Sequence, residues 1–98
     1  MTRSSIMEQF QAYREEIRKR FLVEIVAIFG SYARGEQTVS SDLDVLYRVI
    51  SPEFGLLELD ELEEFIKNIA EVPSVDLVNE QYINPVIELE MREELVYV

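Results

Sequence analysis

The chain has 98 residues, 48% of them hydrophobic and 30% charged, a balance that predicts a single globular domain. It contains no Cys and no His, which excludes disulfides, thiol chemistry, zinc sites of the usual ligand types and histidine-based acid–base catalysis. A net charge of −11 argues against binding nucleic acid through a basic face, and no apolar run approaches the roughly 20 residues of a membrane span, so we expect a cytoplasmic protein without a membrane partner.

Hydrophobic spacing predicts the element order helix, strand, turn, strand, helix, strand, helix. Apolar residues at helical spacing predict one amphipathic helix over 4–20. A nearly continuous apolar run predicts a central strand over 22–29, and further strands are predicted over 43–49 and 74–78. A long helix lies between the last two strands, and Pro85 opens a final helix. This order favours an α/β or α+β fold with one sheet covered by helices.

Polar residues that could carry chemistry lie where the first strand ends and the second begins. Gly30 would let backbone N–H groups approach a phosphate closely, and Ser31 adds a hydroxyl donor, although Gly-Ser after a strand is usually only a turn. Asp42 and Asp44 are two residues apart, so a strand would place both carboxylates on one side and Leu43 in the core. Such a pair suits Mg²⁺ or Mn²⁺; alternatively, Asp42 caps a turn and Asp44 is solvated.

Asp76 is a third acidic residue of interest, because it interrupts the otherwise apolar strand predicted over 74–78. Strand parity places its side chain with that of Val78 and opposite those of Val75 and Leu77. A carboxylate inside a core strand is costly unless it meets a charge or a donor. Asp76 therefore either faces solvent at a sheet edge or joins a site.

Taken together, these residues resemble a known family. In the segment GSYARGEQTVSSDLDVLY, Gly30-Ser31 is followed by ten further residues and then by Asp42-x-Asp44. This arrangement resembles the signature of the polymerase-beta-like nucleotidyltransferases. More narrowly, the chain resembles the minimal nucleotidyltransferase (MNT) antitoxins that accompany HEPN-domain toxins. This resemblance rests on Ala33-Arg34-Gly35, on Ser41-Asp42 and on the short length of the chain. The resemblance implies a nucleotidyltransferase fold over residues 1–98, with a small mixed sheet of three to four strands flanked by helices.

The resemblance also implies roles for the polar residues. Gly30 and Ser31 would hold the triphosphate, and Asp42 and Asp44 would bind metal ions. Asp76 would match the family's third carboxylate, which helps to hold one metal and draws the proton from the attacking hydroxyl. The implied cofactors are two Mg²⁺ ions, with ATP as the donor substrate, because two cations can bridge the phosphates, activate the nucleophile and neutralise the leaving pyrophosphate.

Two further features have open interpretations. Arg34 would contact phosphate according to the resemblance, whereas pairing with Glu36 or with a helix end is equally compatible with the sequence. The apolar C-terminal tail over 95–98 could dock on a partner, although such a tail more often covers its own core.

For function, the resemblance implies an antitoxin enzyme that transfers AMP from ATP to a tyrosine hydroxyl of a partner HEPN toxin ribonuclease and so neutralises it. Residues 51–98 carry thirteen acids against two bases, which suits a basic protein partner or is simply a solvated surface. We expect a hetero-oligomer with the toxin, a bound nucleoside triphosphate and no direct nucleic-acid binding. Two alternatives are stoichiometric binding of the toxin without catalysis and transfer to a small molecule.

Overall fold

Two helices open the chain where the sequence predicts one. In the computed structural model, which describes residues 2–98, α1 spans Arg3–Ala12 and α2 spans Arg14–Phe21. Tyr13 between them has φ −100° and ψ 11°, outside the helical region. The prediction of one continuous helix over 4–20 is therefore wrong at this residue. The apolar spacing continues across the break, so a departure of a single residue leaves no trace in the hydrophobic pattern.

Within residues 2–98, four strands form one mixed sheet in the order β3-β2-β1-β4. They are β1 (Val23–Phe29), β2 (Leu43–Val49), β3 (Val75–Asn79) and β4 (Val96–Tyr97). β1 is antiparallel to β2 and to β4, whereas β2 and β3 are parallel. The α/β class, the small mixed sheet and the three longer strands predicted from the sequence are confirmed, with shifts of one residue at the ends of β1 and β3.

Three helices and one turn connect the strands. The short α3 (Gly30–Arg34) follows β1 directly, and α4 (Leu56–Ala70) provides the crossover between the parallel strands β2 and β3. A 3₁₀ turn over Glu80–Tyr82 leads from β3 to α5 (Pro85–Arg92), which begins with the proline predicted for its first turn. Within residues 2–98, no helix is long and apolar enough to cross a membrane.

One face of the sheet carries the main core, which α1, α2 and α4 cover. A β-bulge at Val26 shifts the register between Ile25 and Ala27, so Ile28 returns to this face and Ala27 turns to the other. The fully buried large side chains of this core are Phe10, Phe21, Ile6, Ile17, Ile28, Leu43, Leu62, Ile66, Val23 and Val45.

The opposite face carries a smaller cluster of Ala27, Leu46 and Met91, the last contributed by α5. The C-terminal tail adds β4 beside β1, and Val98 N–H donates to the Val26 carbonyl at 3.0 Å. Val96 and Val98 pack against the main core, so the tail does cover its own core. This second face is only partly covered, and Asp44 and Asp76 project from it.

Candidate active site

Asp44 and Asp76 lie side by side on the two parallel strands. The pairing of β2 with β3 places Asp44 opposite Asp76, and the neighbouring pair Leu43 and Val75 is buried in the main core. Because side chains alternate along a strand, both carboxylates project from the other face of the sheet. Asp44 is half-buried, whereas Asp76 lies on the edge strand and is exposed. Strand pairing therefore joins two acids that are 32 residues apart in the sequence.

Gly30 packs directly against the Asp44 carboxylate. Phe29, the last residue of β1, pairs with Asp44 across the sheet, and Gly30 follows with φ +73°. A Cβ atom at Gly30 would overlap Asp44 Oδ2 and lie 3.0 Å from Asp44 Cγ. Only glycine accepts both this conformation and this close approach without strain. The backbone that begins α3 therefore runs alongside the acid of β2, a reason for glycine that the sequence did not reveal.

Asp44 is an acidic residue of the site whose pKa is clearly shifted. The pKa of Asp44 is raised to about 6, chiefly by burial and also by the charges of Asp76 and Asp42 and by a hydrogen bond with Asp76. The positive charge of Arg34 lowers the pKa of Asp44. Asp42 and Asp76 are thus close enough to Asp44 to repel its negative charge, and repulsion of this kind favours binding of a cation.

Asp42 is held in place by a residue that the sequence analysis missed. The Ser74 hydroxyl donates a hydrogen bond to Asp42 Oδ1, and Leu43 N–H donates to the Ser74 carbonyl at 3.0 Å. Ser74 immediately precedes β3, so it ties the start of β2 to the start of β3. No local motif marks this serine, and only the pairing of β2 with β3 identifies it.

Arg34 and Ser31 both lie on α3. The Arg34 guanidinium pairs with Glu36 at 3.2 Å and with Glu94 at 3.0 Å, and its side chain is exposed. The pairing with Glu36, one of the interpretations left open by the sequence, is therefore observed. Ser31 follows Gly30 in the first turn of α3 and is half-buried. Gly30 thus lies against Asp44, and Asp44 lies opposite Asp76, whereas Ser31 follows Gly30 at the start of α3.

The donor set of this site suits a hard divalent cation. Asp42, Asp44 and Asp76 offer only carboxylate oxygens, the ligands that Mg²⁺ prefers. Within residues 2–98, however, no group of three acidic side chains is arranged to hold a metal ion. Mg²⁺ is commonly bound by one or two carboxylates together with substrate phosphates rather than by a complete protein cage. The residues therefore fit Mg²⁺ when a nucleotide supplies the remaining ligands.

Sequence comparisons place this site in a family context. Residues 11–98 match the family model of the nucleotidyltransferase domain. A provisionally named protein adenylyltransferase of Methanocaldococcus jannaschii is 39% identical over 98 residues, which cover 99% of this chain and 98% of the relative. The protein adenylyltransferase MntA of Thermococcus cleftensis is 36% identical over 100 residues, which cover 100% of this chain and 97% of the relative.

Solved structures show the same fold. A structure provisionally described as a minimal nucleotidyltransferase superposes with a TM-score of 0.78 at 26% identity, covering 100% of this chain and 97% of the other. The Shewanella oneidensis complex of a tri-AMPylated HEPN toxin with an MNT antitoxin has a chain that superposes with a TM-score of 0.60 at 14% identity, covering 94% of this chain and 70% of that one. The chain therefore belongs to the nucleotidyltransferase domain family and, within it, is a nucleotidyltransferase of the minimal type.

Proposed function

We propose that this chain is an antitoxin enzyme that transfers AMP from ATP to a tyrosine hydroxyl of a partner HEPN toxin ribonuclease and thereby neutralises the toxin. Two observations support the choice of a protein acceptor. The relatives that cover the whole chain are named protein adenylyltransferases, and a structural neighbour is an MNT antitoxin in complex with an AMPylated HEPN toxin. The proposal includes a hetero-oligomer with the toxin, a cytoplasmic location and dependence on Mg²⁺.

The observation that carries the catalytic part of the proposal is the position of Asp44. Its carboxylate lies opposite Asp76 on the neighbouring strand and against the Cα of Gly30, in a half-buried place where its pKa is raised to about 6. A carboxylate cluster of this kind destabilises the fold unless a cation neutralises it. A purely structural role would not require a half-buried Asp44 within the reach of two other carboxylates, so the geometry favours a site for metal and phosphate.

The proposed transfer assigns a task to each residue. Asp42 and Asp44 would hold two Mg²⁺ ions, while Gly30 and Ser31 would hold the triphosphate through backbone N–H groups and the hydroxyl. Asp76 helps to hold one ion and accepts the proton of the attacking hydroxyl. The bound ions would supply positive charge that polarises the phosphates and neutralises the leaving group. The acceptor oxygen forms a bond to the α-phosphorus, the bond between that phosphorus and the β-phosphate bridging oxygen breaks, and pyrophosphate leaves.

The edge position of Asp76 agrees with a macromolecular acceptor. Asp76 is exposed on the outermost strand of the sheet, so a bulky partner can approach it from the side without entering a closed pocket. Asp44 lies one strand further in and is half-buried, which suits an ion that stays with the nucleotide. Arg34, which lowers the pKa of Asp44 through its charge, is near enough to contribute to phosphate binding if its pairing with Glu36 and Glu94 is exchanged.

The test is intact-mass spectrometry of this chain and its HEPN partner after incubation with ATP and Mg²⁺. We expect the partner to gain one or more AMP units on tyrosine, and Asp42→Asn with Asp44→Asn to abolish the gain. Glu61→Gln with Glu64→Gln is the matched control, because it also removes two negative charges, both from exposed positions on α4. A stable complex without any mass change would support neutralisation by stoichiometric binding, and modification of small hydroxyl compounds alone would support a small-molecule acceptor.

A further inference from the structure

A groove leads along the open edge of the sheet to Asp76. It has a volume of about 460 Å³ and lies between α4 and β3, within the size range of sites that bind small ligands or short segments. Its lining residues are Leu56, Leu59, Asp60, Glu63, Val75, Asp76 and Leu77. The groove therefore connects an exposed surface of α4 with the acid that we propose as the proton acceptor.

The β3 wall of this groove is a strand edge that is available for pairing. β3 is the last strand in the sheet order, and no strand within residues 2–98 pairs with its outer edge. Leu43 N–H donates to the Ser74 carbonyl and Leu43 pairs with Val75, so the parallel ladder uses the backbone groups of residues 74, 76 and 78. The N–H and C=O groups of Val75 and Leu77 consequently point outwards, and such an edge readily accepts an extended chain.

The α4 wall combines apolar and acidic side chains. Leu56 is 84% exposed at the rim of the groove, where an apolar side chain of a bound segment can cover it. Asp60 and Glu63 lie one turn apart on the same wall, and the groove has no basic lining residue. The complementary occupant is a segment with apolar and positively charged side chains.

We propose that this groove binds an extended segment of the acceptor protein, which adds to the outer edge of β3 and brings the acceptor hydroxyl to Asp76. The inference rests on the proposed function and adds the acceptor's binding mode and its sequence preference. A segment of about five residues matches the length of β3 at roughly 3.3 Å per residue. This mode of binding obtains its affinity from main-chain hydrogen bonds and its specificity from alternate side chains.

Because side chains alternate along an extended segment, the geometry predicts which residues should flank the acceptor tyrosine. Asp76 projects from the sheet face opposite the one that α4 covers, so the acceptor tyrosine faces the Asp76 side. Its immediate neighbours in the segment face α4, where they meet Asp60 and Glu63. The preferred segment therefore has Lys or Arg directly before and after the acceptor tyrosine.

Two capped pentapeptides test the preference: Val-Lys-Tyr-Lys-Val and Val-Glu-Tyr-Glu-Val. With ATP and Mg²⁺, we expect the wild-type chain to modify the lysine peptide with a kcat/KM about tenfold higher, because two partly exposed ion pairs give roughly that factor. Asp60→Lys with Glu63→Lys should abolish or reverse this preference. Glu61→Lys with Glu64→Lys has the same spacing and the same charge change outside the groove lining, and it should retain the preference.

Methylation of single peptide nitrogens tests the strand addition separately. If the lysine peptide pairs with the edge of β3, methylation should lower kcat/KM strongly at alternate residues and weakly at those between them. A uniform effect along the peptide would overturn strand addition. Thermal unfolding of both double variants reports whether their folds are intact.

The outcomes also separate this inference from the proposed function. If the wild-type chain adenylylates its HEPN partner but the two double variants have the same peptide preference, the groove assignment is wrong and the proposed function stands. If the wild-type chain modifies no protein or peptide acceptor at all, both are overturned. A lysine preference that is lost only in the Asp60/Glu63 variant supports the groove.

Discussion

Replacing Gly30 by alanine should separate the fold from the activity, and Gly35 offers a matched control. Both glycines have φ +73°, so alanine at either position is held in the left-handed region. The surroundings differ, because a Cβ at Gly30 overlaps Asp44 Oδ2 whereas a Cβ at Gly35 has no atom within 4 Å. The two substitutions therefore share the conformational strain, and only Gly30→Ala adds a collision with the site.

The expected cost to stability is similar for the two variants. The left-handed conformation costs alanine about 1–2 kcal/mol, which corresponds to a decrease in Tm of about 4–16 °C for a domain of this size. The collision at Gly30 involves the end of the Asp44 side chain, which can rotate away more cheaply than the backbone can move. We therefore expect Gly30→Ala to displace the carboxylate and to lower the free energy of unfolding by at most about 1 kcal/mol more than Gly35→Ala.

Activity should distinguish the variants sharply. A displacement of about 1 Å in a group that positions the reactants can cost about a hundredfold in rate. We expect Gly30→Ala to lose AMP transfer to the partner by about that factor, and Gly35→Ala to remain within about threefold of the wild type. Urea denaturation and intact-mass kinetics measure the two quantities. Equal activity in the two alanine variants would refute the assignment of Gly30 and Asp44 to the site.

Three further substitutions are expected to affect stability in different ways. Asp44→Asn should raise the free energy of unfolding in EDTA by about 1–2 kcal/mol near neutral pH, a value discounted for solvent screening of a half-buried group. Because the pKa of Asp44 is raised from 3.8 to about 6 in the folded state, its contribution to wild-type stability should fall as pH rises through this window, and urea titrations of Asp44→Asn should lack that fall. Leu62→Ala should cost about 2–5 kcal/mol by denaturation, because Leu62 is fully buried in the main core. Arg48→Gln should change stability by less than about 1 kcal/mol although Arg48 contacts Glu80 at 2.7 Å, because both side chains are more than a third exposed; a loss above about 2 kcal/mol would contradict this view of the pair.

The sequence was sufficient to predict the elements with strong apolar patterns. β2 was predicted with its observed ends, and β1, β3 and α4 were recognised from continuous or periodic apolar residues. The break at Tyr13 and the bulge at Val26 were not predictable, because each changes one residue without changing the composition around it. β4 has only two paired residues, and its place beside β1 depends on the packing of the whole chain.

The sequence identified candidate residues for the site but not how they are arranged. Strand parity correctly placed Leu43 in the core with Asp44 on the other face. The position of Asp76 opposite Asp44 required the parallel pairing of β2 with β3, which no local pattern encodes. The same pairing places Ser74 next to Asp42, and it accounts for why a serine without any motif was missed.

The arrangement of the acids links stability to ligand binding. Asp44 is half-buried beside two other carboxylates, and the nearby cation, Arg34, is shared with Glu36 and Glu94. Removing the negative charge of Asp44 should stabilise the metal-free fold. A bound cation should instead stabilise the wild-type fold, because it neutralises the repulsion between Asp44 and the neighbouring carboxylates. A cation and nucleotide that bind this site must therefore raise the Tm of the wild type more than that of Asp44→Asn. The difference between the two increases in Tm is a direct measure of the coupling between Asp44 and its ligands, independent of any acceptor.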